Sequence, residues 1–181
     1  MVFDNEVAAM AHERYIRTNQ KLYFAGLALA SWQRAEASAA ANAPGLVQAE
    51  REACLFHLHG ALLGLCHEIA GYYRLPGADE PHVELLLKRL PEDDAPSPEL
   101  SELRALAEQP RSWLAQLLAA YAALFEPPRA PIRGKVDPGL PRIEAVSVDD
   151  EAQPLSAGQL QAWRQQLKAL ILRHREALTE W

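Results

Sequence analysis

The amino-acid sequence predicts an all-α fold, a bundle of about five helices with a long proline-rich loop before the C-terminal helix. Three observations predict it. Leu160, Trp163, Leu167, Leu170, His174, Leu178 and Trp181 recur at steps of three and four, the spacing of one apolar helix seam. Residues 6–41 contain no proline and many alanines, which favours a long first helix. Elsewhere, every long segment outside residues 127–154 has helical period or composition, so no sizeable sheet is expected.

The first helix is expected from about Glu6 to Ala41, with Asp4 or Asn5 as its cap. Unbroken, it spans roughly 54 Å, against a radius of gyration of ~16 Å for a compact domain of this length. It therefore either bends near Gly26 or lets its N-terminal turns pack on a second copy. Along it, Ile16, Tyr23, Leu27 and Ala30 form an apolar stripe interrupted by Asn19 and Gln20. Amides in such a seam fix register or partner choice at a cost in stability, which makes these two the interaction candidates of helix one.

Asn42, Ala43, Pro44 and Gly45 are expected to turn the chain. A second helix runs from about Leu46 to Arg74, with Leu55, Leu58, Leu62, Leu65 and Ile69 on its apolar face. Ala53, Gly60, Ala61, Gly64 and Gly71 make a small-residue stripe that lets a neighbouring backbone approach. This helix is expected at the centre. A short helix over Pro81–Leu90 precedes an acidic, proline-broken stretch, and Ser97 with Pro98 opens a fourth helix. Pro110 is expected to kink or split it before the apolar run from Trp113 to Phe125. Ser156, with Gln159 three residues on, forms a capping box for the last helix.

With 181 residues, 49% of them hydrophobic, the chain suits one helical domain over 1–181 with a buried core of its own. The net charge of -6 argues against binding nucleic acid by phosphate neutralisation. Cys54 and Cys66 lie on one helical run, roughly 18 Å apart at 1.5 Å per residue, too far to bond to each other. They read as buried free thiols of a reducing compartment. The N-terminal residues lack a signal-peptide pattern, and the longest uncharged apolar stretch, Ser112–Phe125, is 14 residues, short of a membrane span. A cytoplasmic protein away from membranes is expected.

Residues 127–154 hold six prolines and two glycines and no helical period. They are expected to be a long loop, and loops of this length are usually functional or disordered. Arg129, Arg133 and Lys135 give the first half local positive charge and are the loop's interaction candidates. Ile143–Val148 has the β-favouring content to pair with a strand edge.

Four stretches carry a resemblance. Arg17 to Ala25 (RTNQKLYFA), Gln48 to Ala53 (QAEREA), Ala61 to Ala70 (ALLGLCHEIA) and Arg173 to Trp181 (RHREALTEW) together resemble a pseudomonad family of all-helical proteins recorded only as a domain of unknown function. The resemblance runs from Met10 onward and implies a helical fold. It implies no activity.

No motif fixes a reaction, cofactor or ligand. Arg51 and His57 match the Arg-x(4-6)-His spacing of HEPN-like helical nucleases and nucleotide-binding domains, where histidine is base or acid and arginine steadies phosphate. On a continuous helix, however, six steps leave the two side chains about 120° apart, and the chain is acidic. Glu50, Cys54, His57 and Glu68 share one side of helix two, which raises a metal or small-molecule site, although a tetrahedral site needs a further ligand from another helix. His174 in the terminal seam reads as a satisfied core histidine. The sequence points to a non-catalytic adaptor or regulator that contacts a protein partner or a second copy of itself. The nuclease-like bundle and the ligand-binding bundle are its alternatives.

Overall fold

The computed structural model describes residues 2–89, 97–127 and 155–179, with side chains from residue 12 to 178. Six helices make up these residues, with no strand among them: α1 (Val2–Glu36), α2 (Ala43–Tyr72), α3 (Val83–Lys88), α4 (Pro98–Glu108), α5 (Trp113–Ala123) and α6 (Ala157–Thr179). The sixth arises because the segment broken at Pro110 gives two helices. Ser112 caps the second of them, accepting from Ala115 N at 3.0 Å. The proline-rich loop, Arg129, Arg133, Lys135 and the extended segment expected at 143–148 lie outside the described residues, as does Trp181.

Helix α2 starts earlier than expected. Ala43, Pro44 and Gly45 form its first turn, with Asn42 at the cap position, because proline is tolerated in a first turn where its missing N–H has no partner to lose. At the other capped starts the side chains behave as their patterns predict. Ser97 Oγ accepts from Leu100 N at 3.2 Å, Ser156 Oγ accepts from Gln159 N at 3.2 Å, and Gln159 returns a bond to Ser156 N at 3.0 Å.

Helix α2 is the centre. Leu55, Leu58, Leu62, Leu65 and Ile69 are buried in a cluster that draws on all six helices. It is also the one described helix long and apolar enough to cross a membrane, and 61% of its apolar window is buried inside the bundle. Its glycines admit α1 at close range. A Cβ at position 64 would lie 3.2 Å from Thr18 Cα, and one at position 60 would lie 3.1 Å from Lys21 Cδ, so Gly64 and Gly60 leave the room that α1 occupies.

Helix α1 runs through Gly26 as a single 35-residue element. It lies the other way round from the expected stripe. Thr18, Leu22, Ala25, Ala28, Leu29 and Trp32 are the buried face, whereas Ile16, Tyr23, Leu27 and Ala30 face outward. The helix is apolar on both sides, and the buried one sets Thr18 over Gly64 and carries Leu22, Leu29 and Trp32 into the core. Helix α6 covers another side of α1. Its Arg164 crosses Gly26, where a Cβ would sit 2.7 Å from Nη2, and donates from Nε to Leu22 O at 3.0 Å. The α6 seam is buried from Leu160 to His174, and Leu178 packs against the same cluster.

Candidate functional site

A face built by α1, α2 and α5 leaves large apolar side chains in solvent. Tyr23 is 60% exposed, Ile16 50%, Leu27 49%, Phe56 49% and Phe125 68%, fractions at which each remains available to a partner. The rings are in contact with one another. Tyr23 and Phe24 are 6.2 Å apart between centroids, Phe24 meets His57 edge-on at 5.3 Å, Phe56 lies 5.8 Å from Tyr121, and Tyr121 lies 5.3 Å from Phe125. The pairs fall into two groups, Tyr23, Phe24 and His57 on α1 and α2 and Phe56, Tyr121 and Phe125 on α2 and α5, with Lys21 close to both; together they make up an aromatic belt. Lys21 Nζ stands 5.8 Å from the Phe56 ring, a distance at which the ring face attracts the ammonium.

The belt has a rigid base. His59 stacks on Tyr121 at 3.7 Å with the planes 7° apart, and its ring is buried. Burial holds the His59 pKa below its ordinary value, with Glu84 pulling it back up and His82 pushing it further down. A stacked neutral imidazole thus fixes the ring that bridges Phe56 and Phe125.

Beside Tyr23 and Leu27, α1 and α2 enclose a cleft of about 430 Å³ lined by residues that include Phe24, Leu27, Arg34, Glu50, Ala53 and His57. Its wall is polar on one side, where Ser31 Oγ donates to Glu50 Oε1 at 2.7 Å. His57 Nδ1 is buried and has no partner among the described residues. Its pKa is lowered by burial and then by Lys21 and Arg17.

The sequence candidates are distributed differently from their spacing. Glu50 and His57 share the cleft, and Arg51 is not among its lining residues. Cys54 is enclosed, its thiol pushed by burial up to about 12. Glu68 is held by Arg175 at 2.8 Å. The four side chains expected on one side of helix two are therefore not gathered at one point, and among the described residues no three of His, Cys, Asp or Glu are grouped to hold a metal ion. Asn19 accepts from Arg175 Nη1 at 2.9 Å, which makes it part of the α1–α6 junction. Gln20 is exposed and accepts from Arg17 at 3.0 Å; it alone of the two amides stays on the outward stripe.

Over residues 10–181 the chain matches a family of unknown function, DUF6586. It belongs to that family. The match takes in the aromatic belt and both walls of the cleft. No curated protein and no solved structure matches the chain.

Phe24, Phe56, His59, Tyr121 and Phe125 belong to no motif that marks them as site residues in the sequence. The signal that reveals the α1 part is a second stripe. Ile16, Gln20, Tyr23, Leu27 and Ala30 advance by four and three, while Thr18, Leu22, Ala25, Leu29 and Trp32 do the same on the opposite side. Two opposed stripes give a helix two sides that neighbours could cover, and here the side of Thr18, Leu22, Ala25, Leu29 and Trp32 is the buried one. Tyr121 and Phe125 carry no such signal, because their place beside Phe56 depends on the angle at which α5 crosses α2.

Proposed function

We propose that the protein is a non-catalytic adaptor or regulator that works by protein contact, and that the aromatic belt is its contact surface. The observation that carries this reading is the clustering of exposed rings, Phe56 and Phe125 against Tyr121 and Tyr23 against Phe24, with Tyr121 stacked on the buried His59. Scattered exposed apolar residues are ordinary on protein surfaces, whereas contiguous ones mark interaction sites. Aromatic side chains also dominate the energetics of such contacts. A rigid base limits the entropy lost on binding.

A photo-crosslinking residue placed at Phe125 tests this in living cells, with the same residue at the exposed Glu108 as control. A discrete protein adduct at 125, absent at 108 and lost on adding Phe56→Asp, is the expected result. Equal adducts at both positions, or none at 125, overturns the reading. RNA cleavage by purified protein that His57→Ala abolishes overturns it as well.

A further inference from the structure

We infer that the outward stripe of α1 is a two-fold interface between copies of this chain, formed by antiparallel pairing of two α1 helices about a point between Tyr23 and Phe24. This rests on the contact reading above and names the partner for the α1 part of the face.

The stripe continues at the same spacing beyond its apolar residues, to Glu13 at one end and Arg34 at the other, both exposed. The two charges are roughly 30 Å apart along the helix. Parallel pairing would set Glu13 against the partner's Glu13 and Arg34 against the partner's Arg34, and like charges in contact disfavour it. Antiparallel pairing sets each Glu13 against the partner's Arg34, twice per dimer. The same operation brings Arg17 toward the partner's Ser31 and Glu50, the polar wall of the cleft, and places Tyr23 and Phe24 on the partner's Phe24 and Tyr23. One surface that complements itself under a two-fold rotation is what an isologous dimer requires.

Ile16, Tyr23 and Leu27 are each about half exposed, so at roughly 150–200 Å² per large side chain they offer roughly 250 Å² per protomer. Doubled, this supplies about half of the ~1,000 Å² that a specific interface needs, and the lips of the cleft with the polar and charged ends of the stripe supply the remainder. Gln20 falls opposite the partner's Leu27. A polar residue at such a position weakens a helix pair but penalises slipped registers.

Sedimentation equilibrium of the full chain in low salt tests the pairing. The wild type is expected as a dimer and Leu27→Glu as a monomer with unchanged helical content. Glu13→Arg and Arg34→Glu should each weaken association about tenfold, and the double variant should restore it. A parallel pair would leave all three charge variants alike. A wild type that stays monomeric at its highest soluble concentration overturns the inference, as does a dimer indifferent to Leu27→Glu or to the charge exchange. A photo-crosslinker at Leu27 separates this failure from that of the contact reading. A self-adduct supports the dimer. An adduct only with a different protein overturns self-pairing and keeps the contact reading, and no adduct at either 27 or 125 removes both.

Discussion

Arg175 on α6 holds Glu68 on α2 by two hydrogen bonds, Nε to Oε2 at 2.9 Å and Nη2 to Oε1 at 2.8 Å. Its third nitrogen, Nη1, reaches Asn19 on α1, and its guanidinium lies 4.0 Å from the centre of the Tyr15 ring. One side chain thereby joins three helices. Arg175→Met keeps the apolar stem but leaves a mostly buried carboxylate without its charge partner, which costs about 3 kcal/mol. Urea denaturation measures it. Glu68→Gln should cost less, because the amide still accepts one of the two bonds. Equal stability of Arg175→Met and wild type would show that the clasp is strongly solvated.

Trp163 and Leu167 sit in the buried seam of α6. Alanine at either position should destabilise the fold by about 2–5 kcal/mol, the range for large-to-small changes in a packed core. A calorimetric melt unchanged in both would mean that α6 contributes little to the bundle.

At Gly64 the backbone of α1 comes close to α2. Gly64→Ala introduces a Cβ into contact with the Thr18 side chain and 3.2 Å from its Cα, and since the Thr18 backbone belongs to a helix it yields little. The expected cost is about 1–3 kcal/mol. Combining it with Thr18→Gly should recover part of the loss beyond the sum of the single changes, and a double-mutant cycle reads that coupling.

Protonation of His59 should destabilise the protein. Its folded-state pKa is depressed, chiefly by burial, so the unfolded chain takes up a proton at higher pH than the folded one does. Its contribution is complete above the ordinary histidine range near ~6.5 and is lost as pH falls through that range toward the folded pKa. His57 acts in the same direction. The melting temperature is therefore expected to fall between neutral pH and pH ~5, and His59→Phe, which keeps a ring on Tyr121, should flatten that fall. A slope unaltered in the variant would assign the acid sensitivity to other groups.

Helix boundaries in this chain are legible wherever one residue type decides them. Ser97 with Pro98, and Ser156 with Gln159, mark their helices because a hydroxyl that accepts a backbone N–H is a local matter. The face of α2 is legible too, since its large residues fall on one side. The buried side of α1 is not, because apolar residues line two of its sides and periodicity cannot say which one a partner covers. Of the candidate site, the α1 stripe of Ile16, Gln20, Tyr23 and Leu27 can be reached by pattern, and Glu50 and His57 by their shared side of α2. The Phe56–Tyr121 pair joins residues more than sixty positions apart in sequence, and no local signal reports a crossing angle.

The bond from Arg164 to the carbonyl of Leu22 links residues 142 positions apart, and this bears on the order in which the molecule is completed. A chain growing from its N-terminus has α1 and α2 finished long before residue 164 exists. Until then the side of α1 around Gly26 faces water, and the Leu22 oxygen is solvated where the guanidinium will later lie. If α1 and α2 pair as they emerge, helix α6 docks onto a hairpin already in place and displaces that water as it closes. The gap at Gly26 serves as a mortise cut early for a tenon that arrives late, so that a nascent chain halted before α6 presents two uncovered sides of α1 where the finished protein presents one.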